Sequence, residues 1–193
     1  MGMFMKYRHA FALLALLVVG CADIDDSYEP ASFQRDGNSL VMTGVIDSNI
    51  VTTLEAALAT HPDVHLIVLQ NVEGSIDDEA NLEAARILRQ YDLDTHVPAD
   101  GMIASGGTDF FLAGVERTIE AGALIGVHAW GGDDIADAAA LPDSHPEHQP
   151  YLRYYQDMGI PQSFYWYTLD AAPSEDIHWM TQAEISRYQL TTD

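Results

Sequence analysis

The chain has 193 residues, which fits one domain, and 48% of them are apolar, enough for a packed core and too many for a largely disordered chain. Its formal net charge is −22, with Lys6 the only lysine. A surface this acidic repels nucleic-acid phosphates, which excludes nucleic acid as a partner.

The first residues read as an address. Lys6 and Arg8 form a short positive segment, and Phe11 to Val19 is an apolar run too short to span a bilayer comfortably. Leu17-Val18-Val19-Gly20-Cys21 follows, and Cys21 is the only cysteine. This arrangement resembles the bacterial lipobox. The resemblance implies a signal peptide over 1–20, cleavage before Cys21 and lipidation of that residue. A multiply acylated terminus anchors stably. Ala22 follows the cysteine, and by resemblance to lipoprotein sorting this favours the periplasmic side of the outer membrane over the inner one. With Cys21 lipidated, no disulfide and no cysteine nucleophile remain. Residues 21–37, acidic and polar, read as a tether ahead of a domain over 38–193.

The domain opens with a strand-like run over residues 39–46. Ile50 to Thr60 has helical spacing, with Ile50, Leu54 and Leu58 on one face. Val64 to Leu69 is a near-continuous apolar run expected as a buried parallel strand. A turn is expected over 71–75, a helix from Asp77 to Tyr91 with Leu82, Ala85 and Leu88 inward, and a short strand over 94–97. After the segment around Ser105 come a helix through Phe110, Phe111 and Leu112, and a strand over 123–128. Residues 131–150 are acidic and Pro-rich and read as a mobile loop. Residues 151–171 read as helix, heavy in aromatic residues that suit either packing on the sheet or a subunit interface. Thr181 to Tyr188 reads as a last helix, with Glu184 at capping-box distance from Thr181. Alternating strands and helices at this spacing predict an α/β domain with a mostly parallel sheet.

Ala104-Ser105-Gly106-Gly107 places one hydroxyl where a turn enters a helix. The N–H groups of Gly106 and Gly107 near that helix N-terminus suit a developing oxyanion, and small neighbours let a carbonyl approach. A nucleophilic serine needs a base. The sole lysine lies in the signal region, so a histidine is required. His128 ends the apolar run 123–127 and precedes Gly131-Gly132, where parallel sheets build sites. One helix and one return strand fit between Ser105 and His128.

These residues, Ala104-Ser105-Gly106-Gly107 with Phe111-Leu112-Ala113-Gly114 and then Val127-His128-Ala129-Trp130-Gly131-Gly132, resemble the serine and histidine motifs of the Clp peptidase family, above all its periplasmic Clp-peptidase-like relatives. The likeness runs in order over about residues 40–192. Leu69-Gln70-Asn71-Val72-Glu73-Gly74-Ser75 stands where the family has a strand and then Asn-Ser-Pro-Gly-Gly, with Glu73 in place of one glycine. The stretch from Asp176 to Glu184 resembles the last catalytic segment. The resemblance implies a crotonase-like spiral of ββα units. It implies Ser105 as nucleophile, His128 as general base, Gly74 and Gly106 as oxyanion donors and Asp176 as the orienting acid, with Glu175 and Asp170 as alternatives for the acid.

The expectation is a lipid-anchored envelope serine hydrolase acting on peptides or proteins, with a homo-oligomer compatible and no cofactor or metal required. The alternative is an inactive crotonase-like lipoprotein that binds peptides or partner proteins. A crotonase-type acyl-CoA enzyme fits less well, because CoA phosphates would meet a strongly acidic protein. His145 and His148 are spaced to share a metal but lack a third ligand and read as part of the solvated loop. Asp77, Asp78 and Glu79 read as a solvated face, and Asp109 adds a carboxylate close to Ser105.

Overall fold

The computed structural model describes residues 28–132 and 134–192. The signal segment, Cys21 and the first part of the acidic tether lie outside the described residues. Among the described residues, no helix is long and apolar enough to cross a membrane.

The strands are β1 (Ser32–Asp36), β2 (Ser39–Thr43), β3 (Leu66–Val72), β4 (Asp94–Val97), β5 (Met102–Ala104), β6 (Arg117–Ile119), β7 (Leu124–Val127) and β8 (His178–Trp179). The helices are α1 (Ile50–Thr60), α2 (Asp78–Gln90), α3 (Gly106–Leu112), α4 (Gln149–Asp157), α5 (Gln162–Ala171) and α6 (Gln182–Arg187). The strands form one sheet in the order β1-β2-β3-β5-β7-β8. β3 forks: Leu66 to Val68 pair with β4, which continues to β6, and Asn71 and Val72 pair with β5. Every pairing is parallel except β1 with β2 and β7 with β8. This is the mostly parallel α/β fold expected.

Apolar periodicity accounts for the layers. Ile50, Leu54 and Leu58 are buried along α1, and Leu82, Ala85 and Leu88 along α2. Ile67, Leu69 and Val72 of β3 are wholly buried in the same core. Asp77 caps α2, its carboxylate accepting the Ala80 N–H at 3.0 Å.

Several boundaries differ from expectation. β1 lies inside the stretch read as tether, because Gly37 (φ +58) and Asn38 close a two-residue hairpin that pairs Asp36 with Ser39. The helix expected over 151–171 is two helices. Gly159 (φ +72) ends α4 and Pro161 stands immediately before α5, so no continuous ladder can pass. The acidic segment 131–150 contains two short 3₁₀ turns, and Ala138 and His148 within it are wholly buried. It is therefore packed against the domain rather than solvated throughout. β5, β6 and β8 span only two or three residues and carry no alternation long enough to read.

Candidate active site

Ser105 occupies the single residue between β5 and α3. Its backbone has φ +53 and ψ −129, a region that costs a residue with a Cβ about 1–3 kcal/mol. Its amide donates to the Gly126 carbonyl of β7 at 3.1 Å, which ties the turn to the neighbouring strand. Thr108 Oγ1 donates to that same carbonyl at 2.8 Å. The strained turn is thus held from both sides of α3's first turn.

The glycines after it have a packing reason. A Cβ on Gly107 would stand 2.5 Å from the Val72 carbonyl oxygen, and one on Gly106 would stand 2.1 Å from Ser75 Oγ. Asn81 of α2 donates to the Gly106 carbonyl at 2.9 Å. The small residues let α3 settle against the end of β3 and the start of α2, which fixes where Ser105 projects. Gly74, at φ +151, faces the serine directly: a Cβ there would lie 3.2 Å from Ser105 Cβ. Among the described residues the Gly74 N–H has no acceptor, and Gly106 begins α3, where the first amides have no partner within the helix.

His128 follows β7 immediately. Ser105 and His128 line the same two adjoining cavities. No hydrogen bond joins their side chains, and His128 Nδ1 is buried without a partner. Unliganded sites are commonly loose in this way and tighten with substrate. Burial pushes the imidazole pKa below its ordinary value, opposed by backbone groups at Ser174 and Ala129 and by the charges of Asp78 and Asp137. The ring is therefore neutral at neutral pH and able to accept a proton.

The structure does not bring Asp176 to this histidine. Asp176 is exposed, and its Oδ1 accepts the N–H of Ile177 at 2.8 Å. Glu175 and Asp170 are exposed as well, with Glu175 accepting from the Ser174 hydroxyl at 3.3 Å. The tail that carries Asp176 instead enters β8, where His178 pairs with Val127, and the turn before it keeps its carboxylates outward.

Two other carboxylates face the site. Asp78, expected on a solvated face, is partly buried at the start of α2. It accepts hydrogen bonds from Ser75 Oγ and, at 2.5 Å, from the Tyr151 hydroxyl. Asp109, one turn along α3 from Ser105, accepts from the Tyr155 hydroxyl at 2.5 Å. The accessible part of Asp109 looks onto a cavity that holds little solvent. Desolvation raises its pKa to about 7, the Tyr155 hydrogen bond working against that and the Asp78 charge adding to it.

The aromatic residues of α4 and α5 close the inner end. Tyr151 stacks between Trp130 and Tyr165, with centroids 5.5 and 5.6 Å away. Trp130 Nε1 donates to the Tyr165 oxygen at 2.9 Å, and the Tyr165 hydroxyl lies 2.6 Å from His148 Nδ1. His148 thus belongs to a buried aromatic network, while His145 accepts the Glu147 N–H beside it. The aromatics of 151–171 were expected either in packing on the sheet or at a subunit interface, and not at the site. Their contacts to Asp78 and Asp109 span long loops and leave no local pattern.

No family model matches the chain, and no curated protein does. Solved structures do. The chain is similar to the 1510-N membrane-bound stomatin-specific protease, solved as a mutant in complex with a substrate peptide (TM-score 0.51, 14% identity, covering 77% of this chain and 71% of that one). It is also similar to an enoyl-CoA hydratase from Polaromonas (TM-score 0.51, 12% identity, 84% and 69%). A third likeness is to human enoyl-CoA hydratase domain-containing protein 3 (TM-score 0.54, 8% identity, 85% and 70%). At these identities the likeness concerns the fold, which is crotonase-like and Clp-peptidase-like.

Proposed function

We propose that the protein is a serine hydrolase of the cell envelope, acting on peptides or proteins and tethered by lipid on Cys21. The observation that carries this reading is the strained backbone of Ser105 at a strand-to-helix turn, in a cavity shared with His128. Strain of that kind persists where the surroundings over-determine it, and it clusters at reactive positions. In the reaction, neutral His128 accepts the Ser105 proton as Oγ attacks the substrate carbonyl carbon. The carbonyl oxygen gains the negative charge beside the Gly74 and Gly106 amides. Collapse expels the amine or alcohol, which takes the proton from His128, and water then releases the acyl group by the same route. No cofactor or metal enters these steps.

A second reading has its own observation. No carboxylate hydrogen-bonds His128, and the exposed Glu73 adjoins Gly74. A binding protein with the same cleft and no turnover would have these features.

A fluorophosphonate probe separates the two. The full chain should be labelled at Ser105, and Ser105→Ala should not be. Labelling should rise with pH as His128 loses its proton, with a midpoint below the ordinary histidine pKa. Absence of label on the folded wild type, where a control hydrolase reacts, would leave the binding reading. The anchor is tested by Cys21→Ser, which should move the protein from the membrane fraction to the soluble one.

A further inference from the structure

The two cavities at Ser105 differ in a way that bears on the substrate. The outer one, about 280 Å³, is bounded by Ser75, Gly131, Gly132 and Ser174. The inner one is only about 30 Å³, room for one or two waters. It is lined by Thr108, Asp109, Tyr151, Tyr155 and Tyr165, and Asp78 and Trp130 line both cavities. Ser105 and His128 sit where the two meet. A chain passing through the outer cavity with its carbonyl at Ser105 would direct the side chain of the acyl residue inward.

We infer that the inner chamber is the specificity pocket of the hydrolase proposed above, an inference that rests on that reading, and that it admits only glycine, alanine or serine on the acyl side of the cleaved bond.

Size is the first reason. A methyl or hydroxymethyl group matches the space of one or two waters, whereas isobutyl and benzyl groups exceed it. Rigidity is the second. Tyr151 is clamped between Trp130 and Tyr165 and donates to Asp78 at 2.5 Å. Tyr155 is wholly enclosed and donates to Asp109 at 2.5 Å. Tyr165 is bonded to both Trp130 and His148. Widening the pocket would break these bonds inside the protein, where an unpaired polar group is costly. Polarity is the third. The oxygens of Asp78 and Asp109 can accept a serine hydroxyl, and the carboxylate of Asp78 disfavours an acidic side chain.

The test uses the full chain in detergent and N-acetyl amino-acid thiobenzyl esters of Gly, Ala, Ser, Leu and Phe, followed by thiol release, with fluorophosphonate labelling of Ser105 run in parallel. The expected order has Ala and Ser ahead of Leu and Phe by about 100-fold or more in kcat/KM. Tyr151→Ala should shrink or reverse that gap; if this variant does not fold, the wild-type order decides alone. Leu or Phe esters matching Ala in the wild type, or no ester being turned over while Ser105 is labelled, overturns the pocket and leaves the hydrolase reading standing. No turnover together with no labelling removes the hydrolase reading, and the pocket with it.

Discussion

Ser105 and the residues around it show how much a single backbone conformation depends on its neighbours. A serine at φ +53 is unfavourable in isolation. Here the Gly126 carbonyl accepts a hydrogen bond from its N–H, and the glycine pair lets α3 close against β3. Gly107 is the more demanding of the two, since a Cβ would press on the Val72 backbone oxygen, which cannot rotate away. Gly107→Ala should therefore destabilise the fold by about 1–3 kcal/mol, read as a lower urea midpoint at unchanged slope. Asp176 makes the opposite prediction. Its carboxylate is exposed and occupied by its neighbour's amide. Asp176→Asn should change the rate of Ser105 labelling by less than about twofold, whereas loss of a true orienting acid costs several orders of magnitude.

At the scale of elements, the terminal helix illustrates a signal that local chemistry carries unaided. Thr181 Oγ1 accepts the Glu184 N–H at 3.4 Å, and Glu184 accepts the Thr181 N–H at 2.7 Å, a complete capping box. Hydrogen bonds from the Thr181 backbone and side chain hold the Glu184 carboxyl down to about 2, helped by the His178 ring 3.2 Å away. The carboxylate therefore favours the folded state above its unfolded pKa, and that contribution fades as pH falls towards 2. Thr181→Ala should cost about 1 kcal/mol in equilibrium unfolding at pH 7. The box was legible because every partner lies within four residues. The break between α4 and α5 was marked by Gly159 and Pro161, yet the surrounding aromatics hid it. Tyr154 and Phe164, expected in one helix, belong to two helices that meet through Tyr155.

Across the whole molecule, charge placement matters more than charge count. Most of the acidic residues that give the chain its net charge of −22 are solvated, but Asp109 is drawn into the interior. The groups facing it are Asp78 on α2, Tyr151 and Tyr155 on α4, Tyr165 on α5 and His128 after β7. Its folded pKa of about 7 lies above the ordinary value of 3.8, so between these limits the folded state binds more protons than the unfolded one. Stability conferred by this group is accordingly present at low pH and lost as pH rises through 7. Asp109→Asn should flatten the fall in stability between pH 5 and 8, measured by urea unfolding at several pH values. An unchanged slope would mean that Asp109 titrates as an ordinary surface carboxylate.

Much of the architecture was contained in the order of residues. Apolar spacing at Ile50, Leu54 and Leu58, the β-branched run of β3, the Asp77 and Thr181 caps and the serine between β5 and α3 are all local, and local energetics act without knowledge of the rest of the chain. The hairpin at Gly37-Asn38 was equally local and only went unread. What tertiary structure alone decided is which distant groups share a cavity. Asp78 and Tyr151 are 73 positions apart, and Asp109 and Tyr155 are 46 apart. Their meeting depends on α4 and α5 packing over α2 and α3. The same packing set the dimensions of the inner chamber, a quantity that no segment of sequence specifies because it is the space left after all of them have docked.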